Sequence, residues 1–167
     1  LLKASKISTI VGGNIGIPIL NTLNQTAPDV YVLELSSYQL ETTHSLALDS
    51  AAILNISEDH MDRYDSIEEY AKAKCRIFNH AKKCILNRDD AYLKSKVKDD
   101  SITFGTDLDE KNYSIKKNGK QYFIAKGNVE IVSLDHIKLK GSHNIQNVMA
   151  ALALCEPFNI SASVIAK

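Results

Sequence analysis

Three short apolar runs, each followed at once by polar residues, constrain the fold of this chain more than any other feature of its sequence. The runs are 30–33, 51–54 and 84–86, and the polar clusters that follow them are 34–37, 55–60 and 87–90. Short runs of Val, Ile and Leu are typical of strands buried on both faces of a parallel sheet, where ligands bind beyond the carboxyl ends. We therefore predict an α/β fold with Glu34, His60 and Asn87 at one edge of a mainly parallel sheet flanked by helices.

The composition fits a single domain over residues 1–167 and argues against several classes of protein. With 44% apolar and 24% charged residues, the chain can build one core. Lys and Arg number 20, as do Asp and Glu, so no net charge attracts nucleic acid or an anionic membrane. No apolar stretch approaches the roughly 20 residues of a membrane span. We expect a cytoplasmic protein without nucleic-acid partners or membrane insertion, and the missing initiator Met indicates a fragment.

The cysteines favour a reducing compartment. Cys75, Cys84 and Cys155 are odd in number and lack any CxxC spacing. A disulfide framework or a zinc site needs paired spacings, so we expect three free thiols.

Local signals in the first half of the chain predict alternating strands and helices. Pro18, after the glycine-rich turn 12–16, suits the first turn of a helix, and a short helix is expected at 39–45. The strands predicted around these helices are 7–11, 30–35 and 51–56.

The second half of the chain contains two longer helices and a β-rich segment. A capping box formed by Ser66 and Glu69 predicts a helix that extends to about His80. Segments with β-rich or alternating apolar and polar residues flank the dipeptides Asn118-Gly119 and Gly127-Asn128. They predict a small antiparallel β meander at about 101–139. A last helix begins near Ser142. Its apolar face comprises Ile145, Val148, Met149 and Leu152.

Lys74 is out of place on the predicted helix. It lies on the face that should be buried, which comprises positions 67, 70, 71, 74, 77 and 78. Either its stem packs and its ammonium reaches solvent, the commoner fate of such a lysine, or burial favours the neutral amine. A neutral amine can act as a nucleophile or capture carbon dioxide as a carbamate, an anion suited to Mg²⁺.

Glu34 and His60 are the other candidates for chemistry. A carboxylate at the end of a buried strand can bind a hard cation through oxygen, and it can equally accept a hydrogen bond. Glu41, a turn later, has the pattern of ordinary helix polarity. A lone His after a strand is most often a cap or a structural residue. At the same sheet edge as Glu34, however, His60 becomes a candidate metal or phosphate contact.

Two further patterns are weak by themselves. The glycines of the 12–16 turn allow backbone N–H groups to approach an anion, but the same sequence serves any tight turn. Asn144 and Asn147 share a face near a helix start, where amides can bind an adenine edge, although helix-end capping is the default explanation.

The order of these motifs resembles a known family. The segments VGGNIG (11–16), LELSSYQLE (33–41), LNISEDHMDRY (54–64) and GSHN (141–144) closely resemble the central domain of the Mur ligases. The resemblance extends over essentially all 167 residues. Within the family it is greatest to members that add D-glutamate to UDP-N-acetylmuramoyl-L-alanine in peptidoglycan precursor synthesis.

The resemblance implies a reaction and its cofactors. In the family, the γ-phosphate of ATP passes to the carboxylate of the muramoyl substrate, and the amine of D-glutamate attacks the acyl phosphate, giving an amide, ADP and phosphate. Two Mg²⁺ ions assist. By resemblance, Glu34 binds one ion, His60 binds the second, and Lys74 is the lysine that is carbamylated and helps to hold that second ion.

The resemblance also assigns two sets of binding residues. Positions that line the muramoyl-substrate site in the family are matched by Gly13, Asn14, Ser36 and Gln39. Positions that contact adenine are matched by Asn144 and Asn147.

One family feature is missing from the sequence. No phosphate-loop motif of the form G-x-x-x-x-G-K-[ST] occurs in the 167 residues, so we expect this chain alone to be inactive and its sheet to lack the strand that carries the loop. Two alternatives stay open. The first is another ligase of the superfamily, of the Mur or folylpolyglutamate type. The second is a non-catalytic nucleotide- or partner-binding module.

Overall fold

The computed structural model describes residues 1–138 and 141–165 as an α/β arrangement of strands and helices. The strands are β1 (Thr9–Gly13), β2 (Val30–Glu34), β3 (Ala51–Ile53), β4 (Cys84–Asn87), β5 (Ile102–Phe104), β6 (Tyr113–Asn118), β7 (Gln121–Lys126) and β8 (Val129–Ser133). The α-helices are α1 (Ser37–Thr42), α2 (Ile67–Cys75), α3 (Ala91–Lys94), α4 (Ser142–Leu154) and α5 (Ala162–Ile165).

The strands form two sheets with mostly parallel pairing, which confirms the predicted fold class. β1 and β2 pair in parallel, and the larger sheet has the order β3-β4-β5-β6-β7-β8. Its first pairings, from β3 to β6, are parallel, whereas β6, β7 and β8 form an antiparallel meander. Because β6 pairs with both β5 and β7, the meander extends the parallel sheet. Within the described residues, no backbone pairing joins β2 to β3. The prediction that Glu34 lies at the edge of the same sheet as His60 and Asn87 is therefore wrong, because Glu34 ends a strand of the two-stranded sheet.

The helix after the glycine-rich turn is a correction. Where Pro18 was expected to begin a helix, the chain forms a single 3₁₀ turn, Ile19–Thr22. Leu20 and Leu23 remain 73% and 74% exposed, so a longer helix would have no apolar surface to pack against in the described part of the chain. Helices in proteins depend on such packing for most of their stability, which explains the short turn.

The two longer helices follow the predicted patterns. α2 begins after Ser66, whose hydroxyl accepts a hydrogen bond from the Glu69 N–H, and a 3₁₀ turn at Arg76–Phe78 ends the segment near the predicted His80. The Glu69 carboxylate accepts from the Asp65 N–H, so the reciprocal half of the capping box is displaced by one residue.

The core lies between α4 and the larger sheet. Met149 of α4 is fully buried with Ile85, Phe104 and Ile124 from three strands. Leu152 is also buried, as the apolar face of the predicted last helix requires. This packing fixes the start of α4 relative to the strand ends.

The cysteines agree with a further expectation. The three cysteines are free thiols. Among residues 1–138 and 141–165, no helix is long and apolar enough to cross a membrane.

Candidate functional site

The glycine-rich turn lies against the end of β2. Gly13 pairs with Glu34 across the two-stranded sheet, and the Asn14 N–H donates to the Glu34 carbonyl at 2.7 Å. Gly13 has a φ of +115°, and a Cβ there would lie 2.3 Å from the Glu34 carbonyl oxygen. Only glycine allows this approach. The turn thus positions the backbone from which the Glu34 side chain projects.

Alanine at Gly13 should therefore be strongly destabilising. We expect Gly13→Ala to lower the free energy of unfolding by at least about 2 kcal/mol more than Gly119→Ala does. Gly119 is the matched control because it also has a positive φ, +60°, but nothing lies within 4 Å of the position that a Cβ would take there. Urea unfolding of both variants measures the difference. Equal costs would show that the contact with Glu34 adds nothing to the backbone strain.

Ser36 and Gln39 form the start of α1. Ser36 is the N-cap residue, and its hydroxyl accepts a hydrogen bond from the Gln39 N–H at 3.3 Å. The Gln39 side-chain oxygen accepts from the Ser36 N–H at 2.9 Å, which completes a capping box. Both side chains therefore orient the first turn of α1, directly after Glu34.

His60 lies in the segment between β3 and α2, in a backbone conformation that is uncommon for histidine. Its φ is +56°, and its carbonyl accepts from the N–H groups of Arg63 and Tyr64. Its imidazole centroid lies 4.8 Å from the ring of Tyr38 and 6.3 Å from that of Tyr70. Tyr38 belongs to α1, so the segment after β3 contacts the helix after β2 although those strands do not pair.

Lys74 lies near the same aromatic rings. Its ammonium nitrogen is 5.2 Å from the centroid of the Tyr70 ring, which also faces His60. Lys74 is half-buried, whereas Tyr70 and Ala71 on the same helix face are buried. The side chain is therefore neither enclosed nor free in solvent. The Tyr70 ring is thus a shared neighbour of Lys74 and His60.

The expectation that Glu41 is an ordinary surface residue of a helix is wrong. Its carboxylate accepts a hydrogen bond from the Tyr64 hydroxyl at 2.6 Å and pairs with the Arg63 guanidinium. The hydrogen bonds from Arg63 and Tyr64 hold the pKa of Glu41 below its ordinary value. Arg63 in turn lies 5.0 Å from the Tyr38 ring centroid. This network ties α1 to the segment after His60, and no local sequence pattern indicated it.

Asn87 lies at the end of β4, as expected from the parallel order of the strands. It is 4% exposed, and its amide nitrogen donates to the Leu54 carbonyl just beyond β3 at 2.9 Å. Contacts therefore join the segments that follow β2, β3 and β4. The polar clusters lie together at the carboxyl ends of the strands.

The predicted adenine residues lie at the start of α4. Gly141, with a φ of +106°, occupies the N-cap position, so neither Asn144 nor Asn147 is the N-cap residue. Asn144 is half-buried and Asn147 is exposed. The side-chain amide of Gln146 donates to the Asp89 carboxylate after β4 at 2.7 Å. That bond holds the start of α4 close to the segment that follows β4.

The protein groups do not build a closed metal site on their own. Within the described ranges, no three His, Cys, Asp or Glu side chains are grouped closely enough to hold an ion. The exposed Glu34 carboxylate makes no hydrogen bond or ion pair with residues 1–138 or 141–165. Mg²⁺ typically takes one or two carboxylates together with water and substrate phosphates. The exposed Glu34 carboxylate has the chemistry of one such ligand.

Comparison with known proteins shows a clear relationship. Residues 6–155 match the model of the Mur ligase middle domain. The chain is 47% identical over 164 residues to the UDP-N-acetylmuramoylalanine–D-glutamate ligase of Aliivibrio salmonicida, covering 98% of this chain and 37% of that protein. The enzyme of the same name from Methylobacillus flagellatus is 43% identical over 168 residues, with the same coverage. The chain thus spans little more than a third of these relatives.

Solved structures show the same fold. A UDP-N-acetylmuramoyl-L-alanyl-D-glutamate–2,6-diaminopimelate ligase superposes with a TM-score of 0.81 at 22% identity, covering 99% of this chain and 40% of that one. The MurF ligase of Thermotoga maritima, solved in complex with ADP, has a TM-score of 0.67 at 17% identity, covering 100% and 43%. At such identities the likeness concerns the fold.

Proposed function

This chain belongs to the Mur ligase middle-domain family, and from that premise we propose that its full-length protein joins D-glutamate to UDP-N-acetylmuramoyl-L-alanine at the expense of ATP. The observation that carries the proposal is that relatives at 42–47% identity, matched over nearly the whole chain, are D-glutamate ligases by name. The reaction would supply a peptidoglycan precursor in the cytoplasm.

The proposed chemistry has two steps. A carboxylate oxygen of the muramoyl substrate attacks the γ-phosphorus of ATP, and ADP leaves. The amine of D-glutamate then attacks the acyl-phosphate carbon, phosphate leaves and an amide forms, with loss of an amine proton. Phosphoryl transfer needs alignment and charge neutralisation more than a protein nucleophile. The strand-end residues of this chain would supply the alignment.

Gly13, Asn14, Ser36 and Gln39 would line the muramoyl-substrate site. Their position supports this role. The glycine turn approaches the end of β2, and the Ser36–Gln39 capping box fixes the first turn of α1, which follows the same strand end. The exposed Asn14 side-chain amide can bind polar substrate groups there.

Glu34, His60 and Lys74 would hold Mg²⁺, which when bound neutralises charge on the phosphates. Carboxylate oxygen suits Mg²⁺ better than imidazole nitrogen, so a second oxygen ligand beside His60 would strengthen the site. Carbamylation of Lys74 would provide one. Lys74 and His60 both face Tyr70, which supports their pairing.

Asn144 and Asn147 would contact the adenine ring of ATP. Amide groups can donate to and accept from an adenine edge. The link between Gln146 and Asp89, at 2.7 Å, supports this role because it holds the first turns of α4 near the other strand ends.

Amino-acid dependence of ADP release tests the proposal. With ATP, Mg²⁺ and UDP-N-acetylmuramoyl-L-alanine, the full-length protein should release ADP only when D-glutamate is added. The 167-residue chain, which has no phosphate-loop motif, should release none. Release with a different amino acid or a folate substrate would favour another ligase of the superfamily. Nucleotide binding without turnover under all these conditions would favour a non-catalytic module.

A further inference from the structure

The segment 87–90 begins at the last residue of β4, and its side chains reach three other parts of the molecule. Each of its residues, Asn87, Arg88, Asp89 and Asp90, makes at least one hydrogen bond to a residue outside the segment. None of these residues is assigned a role in the proposed reaction. The segment nevertheless lies between the His60-bearing segment and α4.

One side of the segment holds the backbone that leads to His60. Asn87 donates to the Leu54 carbonyl at 2.9 Å, and an Asp90 carboxylate oxygen accepts from the Ile56 N–H at 2.8 Å. These bonds fix the peptide groups on both sides of Asn55. The other Asp90 oxygen accepts from the Leu93 N–H at 2.9 Å and caps α3.

The other side of the segment holds α4. One oxygen of Asp89 accepts from the Gln146 amide at 2.7 Å, from the Thr106 N–H at 2.8 Å and from the Thr106 hydroxyl at 2.9 Å. Gln146 lies between the predicted adenine contacts Asn144 and Asn147 in sequence. Asp89 therefore ties the first turns of α4 to β4 and to the loop after β5.

Arg88 anchors the segment between these two connections. Its side chain is 10% exposed, and its guanidinium donates to the Tyr113 carbonyl at 2.7 Å and to the Asp107 carboxylate at 2.6 Å. A Cβ at Gly105 would lie 2.7 Å from Arg88 Cγ and 2.8 Å from an Asp89 oxygen, so glycine at this position leaves room for both side chains. Arg88 is therefore held in a fixed position against β6 and the loop after β5.

We infer that the segment 87–90 is a positioning unit with two separable functions, an inference that rests on the proposed function. Asp90, with Asn87, fixes the position of the segment that carries His60 and so controls the catalytic rate. Asp89 fixes the position of the start of α4 and so controls the affinity for nucleotide. Both residues act through the groups that they orient, without contact with the reacting atoms.

Two variants of the full-length protein separate these functions. Asp90→Ser keeps a good N-cap for α3 but is too short to reach the Ile56 N–H as well. It should lower kcat about tenfold or more and leave the KM for ATP within about twofold. Asp89→Ala should raise both the KM for ATP and the Kd of a non-hydrolysable ATP analogue about tenfold, with kcat within about threefold.

Gln146→Met tests the role of Asp89 in nucleotide affinity by changing the residue that donates a hydrogen bond to it. It removes the bond to Asp89 while keeping both bonds from Thr106, so it should weaken analogue binding in the same direction as Asp89→Ala. Asp99→Ala, an exposed carboxylate beyond α3, is the matched control and should change neither parameter. Equal effects of Asp90→Ser and Asp89→Ala on kcat and on nucleotide affinity would overturn the inference.

Hydrogen exchange gives a readout that does not depend on catalysis. Asp90→Ser should speed amide exchange in residues 54–60 and leave 142–147 unchanged, whereas Asp89→Ala should do the reverse. If this selectivity appears but the wild-type protein releases no ADP with D-glutamate, the proposed function fails while the positioning unit stands. Uniformly faster exchange in both variants would show a general structural role and contradict the inference.

Discussion

Replacing Glu34 or His60 by alanine in the full-length enzyme is expected to lower kcat by at least about a hundredfold while the fold is kept. The Glu34 carboxylate is exposed and has no hydrogen bond or ion pair in the part of the chain that the structure describes, so its removal should cost little stability. If both residues hold Mg²⁺ against the phosphates, the variants should also need more Mg²⁺ for half-maximal activity. Steady-state kinetics over a Mg²⁺ titration measures both effects.

The controls for this prediction follow from the local geometry. Alanine at position 60 adds backbone strain because the φ there is +56°, so His60→Asn, which tolerates that conformation, should be as inactive as His60→Ala. Glu58→Ala and His80→Ala remove exposed residues of the same types and should retain full activity. Near-normal turnover in Glu34→Ala or His60→Ala would refute the assigned roles.

The elements with strong local patterns could be predicted from the sequence. The apolar runs identified strands β2, β3 and β4, the Ser66 cap marked the start of α2, and turn dipeptides marked the meander. In each case the pattern lies within a few neighbouring residues and is imposed by burial or by turn geometry. Parallel pairing of β3 with β4 then brings the segments that follow those two strands to one edge. The helix after β2 reaches the same region through the contact between the Tyr38 and His60 rings, which the sequence did not predict.

Contacts between distant residues could not be predicted in this way. Glu41 and Tyr64 are 23 positions apart, and Asp89 and Gln146 are 57 apart. Such hydrogen bonds depend on how the helices pack, which local periodicity does not specify. The turn after Pro18 differs for a related reason: the proline allowed a helix, but the apolar surface needed to stabilise one is missing from the described residues.

Loss of activity in Lys74→Ala, with partial recovery in acetate, is the other large effect that we expect in the full-length enzyme. The Lys74 ammonium lies 5.2 Å from the Tyr70 ring centroid, a cation–π contact that carbamylation would remove. A metal cation bound beside the new anion would offset that lost contact. A carbamate beside His60 would then provide an oxygen ligand for Mg²⁺, and acetate can occupy its place in the alanine variant.

Three companion variants decide between this role and simple packing of the lysine. Lys74→Arg keeps a cation beside Tyr70 but cannot form the carbamate, so it should be as inactive as Lys74→Ala. Lys72→Ala, an exposed lysine of the same helix, should keep wild-type activity. Glu34→Ala should gain nothing from acetate, because Glu34 is exposed and its removal leaves no enclosed space that would hold an added carboxylate. An active Lys74→Arg enzyme would show that the lysine packs against Tyr70 and reaches solvent, whereas an inactive Lys74→Ala enzyme that no short carboxylate restores would remove the main support for the carbamate.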